Sequence, residues 1–258
     1  MSSILFEQRE GVAIIRLNRP EVYNSFNREM ALEMQKRLDA CKDDDNIRAI
    51  YITGMGKAFC AGQDLQEAVD PNGPELSRIV SEHYNPIITR IRKIRKPIVC
   101  GVNGVAAGAG ANIALACDIT VAAESASFIQ AFSKIGLIPD SGGTYFLPRI
   151  IGMQKATALM MLGDKVGANQ AEEMGMIYKA LPDETFEEQA LAIVFQLAQM
   201  PTMGLGFTKC ALNRSFSNNL DQQLALEDEL QTAAGTTRDY KEGVNAFLEK
   251  RKPQFTGK

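Results

Sequence analysis

Three short stretches of this 258-residue chain combine residue types that can do chemistry. The first, Ile138-Pro139-Asp140-Ser141-Gly142-Gly143, offers one carboxylate after an apolar turn. A carboxylate walled by Phe132, Ile138 and Tyr145 would lose hydration, its pKa would rise, and it would become a better base than a free one. Taken by itself, Asp140 also suits the cap of a following helix, and the residues alone favour that reading. The second stretch, Asn103-Gly104 to Asn112, follows an apolar strand and opens a helix. A helix start so poor in side chains presents free N–H groups and the positive dipole end to an anion or a polarised carbonyl. Tight helix packing accounts for the same composition. It is not the dinucleotide fingerprint: Gly108 and Gly110 match, but Ile113 stands at the third glycine position and the acidic partner is missing. The third stretch, Gly54 to Leu65, also follows a strand, so its backbone donors can lie beside the second set. Two N–H groups aimed at one oxygen form an oxyanion hole, and each donor is worth roughly 3 kcal/mol in the transition state. An ordinary turn is the plain alternative.

Other chemistries are poorly supplied. The single histidine, His83, has no HExxH or GxSxG pattern around it, so no metal is expected, and it is assigned to a polar helix face. The five cysteines contain no CxxC pair and sit in apolar or helical surroundings, as reduced buried thiols do. Charge is nearly balanced at −3, with 28 basic and 31 acidic residues, which leaves no footprint for nucleic acid or an anionic membrane. Met1 to Gln8 lacks a basic region followed by an apolar stretch, and no apolar run approaches the roughly 20 residues of a membrane helix. A cytoplasmic location is expected.

These stretches need elements to hold them. Ile4–Gln8 and Val12–Leu17 read as an opening hairpin about Gly11. Asn27 caps a helix to about Cys41 through Met30, Met34 and Leu38. Strands follow at Ile47–Thr53, Ile98–Val102 and Ile119–Ala123, with a long helix from Leu76 to about Arg95 and a polar, mobile surface loop around Pro71-Asn72-Gly73-Pro74. A helix within Gly104–Ala116 is squeezed between strands. Apolar stripes in Phe186–Gln199, Met203–Arg214, Leu220–Ala233 and Asp239–Lys250 make the end of the chain helical, with the junction near Pro201. The expectation is an α/β core over residues 1–200 and a helical region over 201–258; hydrophobic residues at 45% and charged ones at 23% fit a folded chain.

In order, Ala58-Phe59-Cys60-Ala61-Gly62-Gln63-Asp64-Leu65, Asn103-Gly104 to Asn112, and Ile135-Gly136-Leu137-Ile138-Pro139-Asp140-Ser141-Gly142-Gly143-Thr144 resemble the motifs of the crotonase (enoyl-CoA hydratase/isomerase) superfamily. The resemblance runs from Leu17-Asn18-Arg19-Pro20 to the C-terminal tail. It implies a spiral of ββα turns, a C-terminal helical region that trimerises (as a homotrimer or a dimer of trimers), and an acyl-CoA thioester as substrate with no cofactor beyond the coenzyme A it carries. The thioester oxygen would lie between the backbone N–H groups of Gln63 and Ala109. Coenzyme A would meet Val22, Ala61, Asp64 and Leu65, with Phe255 and Lys258 reaching a neighbouring subunit's ligand. The superfamily's hydratases carry two glutamates where this chain has Asn112 and Phe132, whereas Asp140 matches the catalytic aspartate of isomerase members. The acyl end would be lined by Asn112, Phe132, Ile138 and Tyr145, although Asn112 reads equally as a helix residue with its amide toward solvent, the slightly preferred view. An acyl-CoA isomerase is therefore expected. A general Δ3,Δ2-enoyl-CoA isomerase or hydratase, and a non-catalytic acyl-CoA- or RNA-binding homologue, are the alternatives; Asp140 speaks against the inert one and the acidic balance against RNA.

Overall fold

The computed structural model describes residues 2–258. Its opening hairpin joins β1, Ile4–Arg9, to β2, Val12–Leu17, in antiparallel register with Ile4 opposite Leu17. Helix α1, Arg28–Asp43, begins where the Asn27 side chain accepts the Met30 N–H at 3.0 Å, and it buries Met30, Met34 and Leu38 at the four-residue spacing of its sequence.

The chain then alternates between two sheets. Strands β3, Ala49–Gly54, and β4, Ala58–Cys60, are followed by a short helix α2, Leu65–Val69, and by a long helical rod. The rod opens as α3, Leu76–Arg78, loosens into a π-helical turn at Ile79–Tyr84, and continues as α4, Asn85–Lys93. Next come β5, Ile98–Val102, β6, Val105–Ala107, and α5, Ala109–Ala116. The third round is β7, Ile119–Ala123, and β8, Ser127–Ile129, then a 3₁₀ turn at Ala131–Ile135, α6, Gly143–Ile151, and α7, Met153–Leu162. Strand β9, Lys165–Gly167, helix α8, Ala168–Glu173, and strand β10, Lys179–Leu181, close the two sheets. The larger sheet has the order β1-β2-β3-β5-β7-β10 and the smaller one β4-β6-β8-β9. Because β3, β5 and β7 lie in one and β4, β6 and β8 in the other, each round is a ββα turn of a spiral. Strands β3 and β5 are buried at every residue, as parallel strands covered on both faces must be.

Four helices complete the chain: α9, Phe186–Ala198, α10, Thr202–Ser215, α11, Leu220–Gly235, and α12, Arg238–Leu248. Helix α9 packs on β2, β3, β5 and β7, and the chain bends by 103° into α10 across Pro201. The tail beyond α12 is tied down at both ends of the sequence. Arg48 donates to the carbonyls of Met200 and Phe255 and to the Thr202 hydroxyl, while the buried Asp239 carboxylate accepts the N–H groups of Thr256 and Gly257, each at 2.7 Å. Among the described residues no single helix is long and apolar enough to cross a membrane.

Three expectations change. His83 is fully buried in the π-helical turn, not on a polar face: its Nε2 lies 3.3 Å from an Arg28 guanidinium nitrogen. The extra residue of a π turn rotates the following positions, so a polar-looking place in an α-helical reckoning faces inward here. The small-residue stretch begins as strand β6 before it becomes α5. The polar loop after Leu65 starts with helix α2, capped by Asp64.

Candidate active site

Backbone pairing exposes the first donor. Phe26 bridges Gln63: its N–H donates to the Gly62 carbonyl at 2.7 Å and its own carbonyl accepts the Asp64 N–H at 2.8 Å. Gln63, between those two bonds, therefore turns its N–H to the opposite side. The second donor belongs to Ala109, the first residue of α5, whose N–H is an orphan of the helix start. Neither N–H meets an acceptor among the described residues. Gly108, with φ +54°, makes the abrupt turn from β6 into α5. Gly62, with φ +97°, brings the first loop so close that a Cβ there would lie 3.1 Å from the Ala107 carbonyl oxygen and 3.5 Å from the Ala109 nitrogen.

The two N–H groups open on a cavity of about 400 Å³, to which Asp140 also contributes. Its wall is mostly apolar: Leu76, Ile79, Tyr84, Ala131, Phe132 and Leu137. Larger hollows lie elsewhere, one between α10 and α11 and one over the tail. The carboxylates of the latter, Asp239 and Glu242, are already committed to chain N–H groups and to Arg251.

Asp140 is half-buried and does not cap α6. Its carbonyl accepts the Gly143 N–H at 2.8 Å, while its carboxylate accepts the Ser141 hydroxyl at Oδ1, at 2.8 Å, and no side chain or other residue's N–H among the described residues reaches Oδ2. Burial raises its pKa above the ordinary carboxylate value, and the Ser141 hydrogen bond opposes part of that rise. A carboxylate beside two free N–H donors in an apolar chamber can take a proton next to a carbonyl while the donors hold the resulting enolate oxygen. Cys60, below the start of α5, is no rival nucleophile, because burial pushes its thiol up to about 12.

The loop that carries Gln63 is braced from its side chain. Tyr84 Oη donates to Gln63 Oε1 at 3.1 Å, Gln63 Nε2 donates to Glu67 at 3.0 Å, and Glu67 in turn accepts the Arg28 N–H. The sequence marks Tyr84 only weakly as part of the site. Its signal was the five-residue interval between the buried Ile79 and Tyr84, a π-helical rather than an α-helical spacing.

The structure gathers Gln63, Ala109, Phe132 and Asp140 around the cavity, together with Val22, Ala61, Asp64 and Leu65. Leu65 stands half-exposed on the wall, whereas the Asp64 carboxylate is committed to Arg19 at 2.9 Å and to the Gln66 N–H. Ile138 and Tyr145 do not wall Asp140. Ile138 is 80% exposed, and the Tyr145 ring stands edge-on to Phe146 and Phe216 under the Arg149 guanidinium. Asn112 has neither its amide in solvent nor a place in the cavity wall. It is fully buried behind Asp140, donating through Nδ2 to the Asp140 carbonyl and accepting from Gln130 at Oδ1, both at 2.8 Å. Phe255 and Lys258 lie on the tail, away from this cavity, with Phe255 against Gly243 and Lys258 beside Asp45.

The family profile described as enoyl-CoA hydratase/isomerase matches residues 7–258. The 1,2-epoxyphenylacetyl-CoA isomerase of Escherichia coli K12 is 51% identical over the full length of both chains. A trans-2-decenoyl-acyl-carrier-protein isomerase of Streptococcus mutans is 38% identical over 99% of this chain and 98% of its own. Among solved structures, an enoyl-CoA hydratase from Bacillus anthracis superposes with a TM-score of 0.95 at 32% identity, covering 99% of this chain and all of the other.

Proposed function

The chain belongs to the enoyl-CoA hydratase/isomerase family, and on that premise we propose that it is an acyl-CoA isomerase with Asp140 as its single base and the Gln63 and Ala109 N–H groups as its oxyanion hole. The observation that carries this reading is the free Asp140 oxygen in the same apolar cavity as two unpartnered N–H groups, with an amide and a phenyl ring, Asn112 and Phe132, in place of further carboxylates.

With a 3-enoyl-CoA, Asp140 takes a proton from C2 and the electron pair spreads to the thioester oxygen. The same carboxyl returns the proton at C4, which leaves a 2-enoyl-CoA. With ring-1,2-epoxyphenylacetyl-CoA, the proton leaves the methylene beside the thioester and its electron pair forms an exocyclic double bond as the carbon–carbon bond shared by epoxide and ring breaks. The electrons of that bond spread over the opened ring system and the same proton returns there, which leaves the seven-membered oxepin. Both are isomerisations and draw only on the substrate and these groups. The ring-epoxide substrate is the preferred assignment because the relative named for that reaction shares 51% of its residues along the entire chain. A place in phenylacetate breakdown in the cytoplasm goes with it. Assembly as a trimer or a dimer of trimers belongs to the same proposal, supported by the exposed apolar Met161, Leu162, Phe247 and Leu248. Phe255 and Lys258 would then serve the coenzyme A of a neighbouring subunit.

Incubation with ring-1,2-epoxyphenylacetyl-CoA generated in place, beside 3-hexenoyl-CoA and crotonyl-CoA, tests the reading. Hydration needs both an activator for water and a proton donor for C2, each worth a factor of roughly 10² to 10⁴. Crotonyl-CoA hydration is accordingly expected to be at least about a hundredfold slower than isomerisation of the best substrate. Comparable kcat/KM for hydration and isomerisation would sink the single-base assignment.

A further inference from the structure

Behind the base runs a one-way chain of amides. The Asp140 carbonyl can only accept, so the Asn112 group 2.8 Å away must be its Nδ2 donor; Oδ1 then faces Gln130, whose Nε2 donates to it at 2.8 Å. Both side chains are buried, Asn112 completely and Gln130 to 5% exposure, so water does not substitute for either. The turn they hold is tense. Ser141, a residue with a Cβ, sits at φ +53° directly after Asp140, and Gly142 follows at φ +76°. Space is also committed: a Cβ on Gly143 would fall 2.4 Å from Asn112 Nδ2, so α6 begins in contact with this amide.

We propose that Asn112 is a positioning residue for Asp140, its Nδ2–H pinning the backbone of the strained turn so that the Ser141 hydroxyl engages one carboxylate oxygen and the other faces the cavity. The inference rests on Asp140 being the base. A carboxylate at position 112 has the same outline as asparagine but only acceptors, so it would repel the Asp140 carbonyl and release the turn. An alanine would merely omit the bond. Gln130 sets the direction of the amide, because its donor is what holds Asn112 Oδ1 away from the carbonyl.

The two roles predict opposite orders. If Asn112 only fills space, Asn112→Asp is milder than Asn112→Ala. If it positions the base, Asn112→Asp is the worse, with kcat on a 3-enoyl-CoA down by about a hundredfold, as for a displacement of about 1 Å at a reacting group, Asn112→Ala down by about tenfold, and KM within about twofold in both. Asp140→Asn is measured alongside. If that variant keeps its turnover, the base assignment falls and this inference with it. If it is inactive while Asn112→Asp keeps at least half the wild-type kcat, the positioning role alone is overturned. Should the Asn112→Asp variant fail to fold, Asn112→Ala and a further variant, Gln130→Leu, decide: Asn112→Ala with wild-type kcat refutes the inference, and a tenfold loss at unchanged KM, with only a few-fold loss in Gln130→Leu, supports it.

Discussion

Gly110 in the first turn of α5 is where one methyl group should separate catalysis from folding. A Cβ there would lie 2.3 Å from the Cys60 carbonyl oxygen, 2.7 Å from Cys60 Cβ and 2.8 Å from Cys60 Sγ, against about 3.4 Å for ordinary contact. Gly110→Ala must therefore push the start of α5 away from β4 by about 1 Å, since backbone and a fully buried strand face it. Two stability effects oppose each other. Alanine in place of glycine favours the helix by roughly 1 kcal/mol, whereas overpacking costs roughly 1–3 kcal/mol. The net loss should be small, about 1 kcal/mol, or a few degrees in Tm. The catalytic loss should be larger. Ala109 is the adjacent residue, and a shift of about 1 Å moves its N–H out of line with the thioester oxygen. That approaches removal of an oxyanion donor, roughly 10²-fold in rate or about 3 kcal/mol. The assay is kcat/KM for 3-hexenoyl-CoA isomerisation beside a thermal melt of the same preparation. A variant that melts within a few degrees of wild type and keeps more than about a third of its kcat/KM would refute the assignment of the Ala109 N–H.

Asp140→Asn is expected to abolish isomerisation while leaving acyl-CoA binding nearly intact, measured by turnover and by titration with a non-reactive thioester. Because burial raises the Asp140 pKa, the folded protein binds that proton more tightly than the unfolded chain does. The contribution to stability is therefore present at low pH and lost as pH rises through the unfolded and then the folded pKa, so Asp140→Asn should melt no lower than wild type at pH 7. Activity on the basic form should fall as pH drops through the raised value, which lies above that of a free aspartate, and an acid limb in kcat at or below the free-aspartate value of about 4 would contradict this. Asp239→Ala breaks three charge-assisted bonds to the tail, from the Thr256 N–H and hydroxyl and the Gly257 N–H, and should cost about 3 kcal/mol, or roughly 6–12 °C in Tm, with little effect on kcat; an unchanged melt would show that these bonds contribute nothing to stability.

Much of the frame was legible because its signals are local. The hairpin about Gly11, the Asn27 cap and the four C-terminal stripes depend on neighbours within one or two turns, and each lies where the sequence put it to within a few residues. Strands of three residues, β4, β6, β8, β9 and β10, show too little of a period to be seen, and β6 hid in a small-residue run that also suits a helix. The region from Gly143 to Leu181 holds helices of nine, ten and six residues and two strands of three, too brief for a period to stand out in the sequence. The site motifs stood out because glycine at a close approach and an acid after an apolar turn are unusual choices. What a side chain points at was not legible: Asn112 meets Asp140 28 residues away, and Tyr84 meets Gln63 21 residues away. Those pairings follow from the spiral, which no local pattern encodes.

The tail fastened by Arg48 and Asp239 also sets a schedule for the newborn chain. Arg48 enters the spiral early, yet its bond to the Phe255 carbonyl spans 207 residues, and the Lys258 carbonyl closes on the Asp239 N–H. At roughly 5–20 residues per second, the first ββα rounds emerge from the ribosome seconds before these partners exist. Until residues 255–257 clear the exit tunnel, the Arg48 guanidinium and the Asp239 carboxylate are short of the groups they bind in the finished fold. The last interlock of this spiral thus waits on the emergence of those residues, and a nascent polypeptide stalled before them carries the spiral without its fastening.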